Sequence, residues 1–256
     1  IVSEILVTEG QLVKTGDILV KLDITQAQAN LAQLEIRHIA LRALEARLLA
    51  ERDNTEKIEF PEFGESDAAV EVIKAETSVF NAKRKAKAGE KAILEKRIAQ
   101  YRNEIAGING QISAQGVQLK LIGEELTAQE KLFAKKLTGM QRGIELKREK
   151  SEITGDRNQQ IASIARIKQN IGEEELKIIE LETSRLNDAV EQLTEVQTSL
   201  SDLEERIIAA RDVLTRTEIV APLDGNVVDL KIHTVGGVIT PGDTLMDIVP
   251  IEEQLI

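Results

Sequence analysis

Between Leu94 and Phe133 the apolar residues of this chain fall in alternating steps of four and three. Leu94, Ile98, Tyr101, Ile105, Ile108, Ile112, Leu119, Ile122, Leu126 and Phe133 fill ten of twelve successive seam positions, and Gln115 and Gln129 fill the other two. At the chain's apolar fraction of 42%, chance would fill about five. The stretch therefore reads as one long helix with a coiled-coil seam. About forty residues of helix span roughly 60 Å, which a compact globule of 256 residues has no use for.

Composition agrees with helix pairs in place of a central core. Aromatic residues make up 2% of the chain, there is no Trp, only 4 Pro, and charged residues reach 30%. Acidic side chains outnumber basic ones, 44 to 33, so the formal net charge is -11 and a phosphate backbone is repelled. Nucleic acid is excluded as a partner on that ground. The absence of Cys removes disulfides, thiolate metal sites and thiol catalysis together. No run of about 18 apolar residues exists, and Ile1-Val2-Ser3 does not resemble a signal peptide. The chain starts without Met and in mid-strand, so it reads as a fragment whose membrane segment lies outside it.

The two ends carry a repeat. Residues 1 to 23 alternate like strands broken at Glu9-Gly10-Gln11 and Thr15-Gly16-Asp17. The stretch from Thr8 to Leu19 aligns without a gap on Thr234 to Leu245, and each copy carries Gly-x-x-x-x-x-Gly-Asp. A few isolated strands are marginal in water, so the two ends are expected to meet and form one small β-domain. The intervening chain, about 190 residues, must then leave and return, which an antiparallel helical hairpin achieves.

The expected path has three helices. The first spans about 24–52, capped by Asp23 or Thr25, with an apolar stripe at Ala27, Leu31, Leu34, Leu41 and Leu48. Phe60-Pro61 and Phe63-Gly64 punctuate a break over 53–66. The second helix spans about 67–137 and the third about 141–215, with the turn at about 134–142 and Gly139 as its stop signal. Near its end the third carries an unbroken seam at Leu193, Val196, Leu200, Leu203, Ile207, Ala210 and Leu214. Before that, Ile164, Ile167, Ile171, Ile178 and Leu181 keep the spacing with a phase shift that reads as a stutter. Because the second and third helices match in length, the first is surplus and is expected to lie beside the base of the hairpin. The fold class is thus mostly α with a small split β-domain.

Candidate chemistry is sparse. His38 lies on the first stripe and reads as a packed or edge residue, because the second histidine, His233, is far away in sequence. Lys83 to Lys91 reads as a solvated helix face interleaved with Glu90 and Glu95. Asp17 and Asp243 recur because the turn recurs, not as a catalytic pair. Catalytic, cofactor-binding and metal residues are all read as none. At the turn, Lys135, Lys136, Leu137, Met140 and Arg142 are expected to point outward once seam packing stops.

The paired half-motifs, with Ala221-Pro222-Leu223-Asp224-Gly225-Asn226-Val227, resemble the split lipoyl or biotinyl domain of periplasmic adaptors, also called membrane fusion proteins. Arg47-Leu48-Leu49-Ala50-Glu51-Arg52 before Phe60-Pro61, and Leu146-Lys147-Arg148-Glu149 after the turn, are similar to the haemolysin D type of type I secretion adaptor. The resemblance implies lipoyl-like halves at 1–23 and 217–249 around a helical hairpin at 24–216, and a truncated β-barrel beginning at 250–256. It further implies a homo-oligomeric ring, hexameric, in the periplasm of a Gram-negative bacterium, anchored in the inner membrane. The ring would bridge an inner-membrane ABC transporter to a TolC-like outer-membrane channel and pass an exported protein substrate. The implied channel contact is the turn: Leu132, Lys135, Lys136, Leu137, Thr138, Gly139, Met140 and Arg142. The family's Arg-x3-Leu-x6-Ser tip pattern departs here, since with Leu132 in register Ala128 and Gly139 stand at the Arg and Ser positions. Three alternatives stand beside this reading: a drug-efflux adaptor, a structural coiled coil, and an acyl carrier. For the last, Thr25-Gln26-Ala27 offers no lysine where the carrier's modified lysine stands, and Lys21 belongs to a strand.

Overall fold

A computed structural model describes residues 1–64, 66–240 and 242–250. Its elements are β1 (Val2–Ile5), β2 (Leu12–Val13), β3 (Ile18–Leu22), α1 (Thr25–Asp53), α2 (Asp67–Ala134), α3 (Gln141–Thr215), β4 (Glu218–Val220), β5 (Gly225–Val228) and β6 (Asp247–Pro250). They fall into two compact units, Ile1–Ser78 with Ala189–Ile256, and Val79–Asp188. The expected barrel strand at 251–256 lies outside the described residues.

In the first unit the chain ends do meet. Two antiparallel sheets, in strand orders β1-β3-β4 and β2-β5-β6, each combine strands from both ends. Their apolar faces bury Val2, Val7, Val13, Leu19 and Val20 from the first end against Ala221, Val227 and Ile232 from the second. The sequence repeat is a repeat of conformation. Gly10 and Gly236 have φ 80° and 88°, and Gly16 and Gly242 have φ 91° and 98°, a left-handed region open to glycine at no steric cost. Each copy also clasps the other half. Gly10 N–H donates to the Val227 carbonyl (2.8 Å) while Val227 N–H donates to Gln11 (3.0 Å), and Gly236 N–H donates to Val2 (2.9 Å) while Val2 N–H donates to Gly237 (2.9 Å). Asp17 and Asp243 play one role: the carboxylates accept the N–H of Lys14 and Thr240, each at 2.7 Å.

The Ala-Pro-x-Asp-Gly-x-Val stretch now has a physical reading. Ala221 is buried in the core. Asp224 accepts both the N–H and the hydroxyl of Thr15, each at 2.7 Å, and so ties the halves across 209 residues. A side chain at Gly225 would run into β6, with its Cβ 2.6 Å from Ile248 Cγ2 and pressed on the Val249 carbonyl.

Asp23, Asp224 and Asp243 are all held below the ordinary aspartate value of 3.8: Asp23 and Asp243 chiefly by threonine hydroxyl donors, Asp224 chiefly by the Thr15 N–H. A depressed carboxyl favours folding while it is ionised. That contribution is complete above the unfolded value and disappears as pH falls through the lower folded value. The β-domain is therefore expected to lose stability on acidification below about pH 4. Asp224→Asn should flatten that dependence in urea titrations run at pH 7 and pH 3, and an unchanged slope would count against this account.

Within the same unit α1 lies antiparallel to the end of α3. Leu31 packs with Leu203, Ile207 and Ala210, and Leu48 with Leu193, Val196 and Leu200. Arg211 to Glu35 (3.0 Å), His38 to Glu204 (3.3 Å) and Gln197 to Glu45 (3.4 Å) run along the pair. The His38 ring therefore sits at the edge of a helix pair beside a carboxylate. The N-terminus of α1 differs from expectation: Ile24 holds the cap position without a side-chain bond, and Asp23, one residue earlier, accepts the N–H of Thr25 at 2.9 Å.

The second half of α1 is buried more widely than its stripe, with Ala43, Ala46, Arg47 and Ala50 added to Leu48. Small alanines let helices approach, and Arg47 uses that proximity. Its guanidinium, 6% exposed, bonds Glu51 one turn on and Glu76 of α2. Burial opposes its charge, but the Glu76 and Glu51 hydrogen bonds outweigh burial and raise its already high pKa.

In the second unit α2 and α3 pair antiparallel through the seam. Every seam residue from Leu94 to Gln129 is buried or half-buried, whereas Phe133 is 48% exposed. Gln115 accepts this placement with its Oε1 buried and unpartnered. The stutter is localised where Leu181, Arg185, Ala189 and Leu193 turn inward in consecutive steps of four. Arg185 there donates to Glu90 (3.2 Å) and to the Lys83 carbonyl (3.2 Å), and Lys91 pairs with Glu182 at 2.9 Å. Glu174, buried in the seam, is met by Lys177 at 2.8 Å and Arg97 at 3.7 Å.

Candidate functional site

The turn between α2 and α3 begins with a complete helix stop. Lys136 has φ 59°, its N–H donates to Phe133 (2.9 Å), and Leu137 N–H donates to Leu132 (3.0 Å). These are the paired bonds of a Schellman motif, with lysine where glycine is usual. The helix thus ends at Ala134, three residues short of the expected 137, and Lys136 supplies the reversal that Gly139 was expected to supply. Lysine in the left-handed region costs on the order of 1 kcal/mol. Lys136→Gly is accordingly expected to stabilise the turn by up to about 1 kcal/mol, read as slower amide exchange at Lys136 and Leu137. Faster exchange would reject the motif as the stop.

Beyond the stop the chain is pinned at two points. Gln129 Nε2 donates to Thr138 Oγ1 at 3.0 Å and to the Gly139 carbonyl at 3.4 Å. Arg142 donates to Glu125 from Nε (3.2 Å) and from an Nη (2.7 Å), with Glu145 3.6 Å away. Arg142 is exposed at the surface, with its side chain 51% accessible, and at the same time braces the hairpin through these bonds. Thr138 is half-buried and engaged. Leu137 and Met140, by contrast, are 70% and 63% exposed, and Lys135 and Lys136 are exposed beside them.

Next to the turn the hairpin is hollow. A groove of about 250 Å³ opens between the helix ends, lined by Gln129, Phe133, Met140, Gly143, Ile144 and Lys147. Gly143 creates part of this space, since a Cβ there would meet nothing nearer than Gln129 Cγ at 4.0 Å. The sequence offered only the loss of seam spacing as a sign of the groove. Among the described residues no group of His, Asp or Glu is arranged to hold a metal ion, and no helix is long and apolar enough to cross a membrane.

Comparison with known proteins bears on what such a hairpin belongs to. A family profile described as AprE, long alpha-helical hairpin, matches residues 27–213. The chain belongs to the AprE hairpin family. Its relatives include the type I secretion system membrane fusion protein PrsE of Rhizobium meliloti (strain 1021), 41% identical over the whole of this chain and 59% of PrsE. The alkaline protease secretion protein AprE of Pseudomonas aeruginosa is 30% identical over the whole chain and 60% of its own length. The chain thus spans about three fifths of these relatives. The soluble domain of LipC, a membrane fusion protein of a type I secretion system, superposes with a TM-score of 0.92 at 28% identity, covering 98% of this chain and 96% of LipC. The likeness to type I secretion adaptors drawn from the sequence motifs therefore extends over this AprE-family hairpin and its β-domain together.

Proposed function

We propose that this chain is the periplasmic portion of a non-catalytic adaptor in a type I secretion system. The adaptor joins an inner-membrane ABC transporter to a TolC-like outer-membrane channel, and an exported protein substrate passes between them. Likeness to PrsE along the whole of this chain, which spans 59% of PrsE, is the observation that carries the proposal. It favours protein export over the drug-efflux and purely structural alternatives. In this reading residues 1–23 and 217–249 form the lipoyl-like domain, copies of the chain close into a hexameric ring, and a membrane anchor lies outside the chain. The turn from Leu132 to Arg142 is the end that meets the channel, because Leu137 and Met140 expose apolar surface there without a partner among the described residues.

Cysteines at Leu137 and Thr138 of the full-length protein should crosslink to the outer-membrane channel in secreting cells. Secretion that proceeds with no crosslink from either position would overturn docking through the turn.

A further inference from the structure

The turn region reverses the charge of the chain. Residues 131–150 carry seven Lys or Arg against two Glu, whereas the whole chain carries 33 against 44. Part of this positive charge is internally matched: Arg142 by Glu125 and Glu145, and Lys147 by Glu130 at 3.0 Å. Lys131, Lys135 and Lys136 have no carboxylate within ion-pair distance among the described residues. Lys131 lines a separate hollow with Lys120 and Glu124, whereas Lys135 and Lys136 are exposed in the turn that joins Phe133 to Gly139 and Met140 of the groove. Phe133, Met140 and Ile144 in its wall are 48%, 63% and 47% exposed, and the charged residues of its lining, Glu130 and Lys147, are paired with each other.

We infer that the groove takes a single apolar side chain from an acidic protein surface, with Lys135 and Lys136 meeting the carboxylates around it. The inference rests on the docking reading above and specifies its chemistry. A cavity of about 250 Å³ accommodates one large aliphatic or aromatic side chain. Lysine is suited to the rim, since its flexible ammonium follows carboxylates whose positions are not fixed. The rim gives steering and selectivity, while the filled groove gives residence time. This arrangement stands in place of the Arg and Ser that Ala128 and Gly139 replace. A concave groove with a cationic rim fits a protruding side chain better than a lipid surface, which would call for a convex apolar face.

The test uses the full-length protein with a photo-crosslinking residue at Leu137. Two variants are compared: Lys135→Glu with Lys136→Glu, which inverts the rim, and Gly143→Leu, which fills the groove from a helical position. Each is expected to lower channel crosslinking and secretion about tenfold, with far-UV circular dichroism unchanged. Lys135→Arg with Lys136→Arg should retain both, and carboxylate-to-lysine changes at the channel's docking end should restore the inverted rim. If the parent crosslinks and both variants crosslink and secrete as well as it does, docking stands and this chemistry is wrong. If the parent itself gives no crosslink, the docking reading fails first. Binding of the chain to phosphatidylglycerol vesicles but not phosphatidylcholine ones, abolished by the inverted rim while channel crosslinking persists in that variant, would reassign the rim to a membrane and overturn the inference.

Discussion

Arg47→Ala is expected to cost about 3 kcal/mol of stability, the largest loss from any single side chain considered. The arginine is buried and is shared by Glu51 and Glu76, whose side chains are 17% and 21% exposed. Removing it takes from two partly buried carboxylates the cation they share and leaves a cavity in the buried half of α1. Arg47→Lys is not a conservative change here. One ammonium cannot reproduce a planar fork reaching two carboxylates on different helices. Arg47→Met alone should lose nearly as much, whereas adding Glu51→Gln and Glu76→Gln should recover most of the loss. Urea unfolding followed by helical circular dichroism measures this directly, and a loss below about 1 kcal/mol for Arg47→Ala would reject the network as a determinant of the α1–α2 contact.

Gly225→Ala is expected to destabilise the β-domain by about 2–3 kcal/mol. The glycine is not needed for its dihedral angles, because its φ lies outside the left-handed region. It is needed because β6 passes over it. An alanine Cβ would press on the Val249 carbonyl, and backbone cannot yield as a side-chain tip can. Relief requires β5 to part from β6, breaking the register Gly225 to Pro250, Asn226 to Val249, Val227 to Ile248 and Val228 to Asp247. Hydrogen exchange should accelerate selectively over residues 225–250 while the α2–α3 amides stay protected. Uniform protection in the alanine variant would mean that β6 shifts without cost.

What the sequence made legible was whatever repeats. The seam from Leu94 to Gln129 obeys a period, and a period survives any detail of tertiary packing. The β-domain was legible because one turn chemistry is written at both chain ends. The illegible features are single residues that break the local rule. Arg47 and Glu174 are charged residues in buried positions, and only a partner on another helix distinguishes them from solvated ones. The bracing of exposed Arg142 on Glu125 was hidden because the two lie 17 residues apart across the turn. Lys136 was passed over in favour of Gly139, because glycine is the usual left-handed residue. The groove beside the turn owes part of its space to Gly143, a single residue with no sequence period.

The reciprocal clasp of the two chain ends also dictates an order of events. In the hairpin, bonds at sequence separations of 17, 49 and 91 follow one another outward from the turn, so each closes only a short additional loop. Along α1 and the end of α3 further bonds follow at separations of 152, 166 and 176, and Asp224 with Thr15 comes after them at 209. On a growing polypeptide β1 can pair with β3 early, but β2 and the free side of β3 must wait until residues 218–228 have been made. During that interval Val2, Val7, Val13 and Val20 lack the cover of Ala221, Val227 and Ile232, so assembly of this β-domain is timed by synthesis of its second half, and a chain stopped before it leaves β3 with a sticky, unpaired edge.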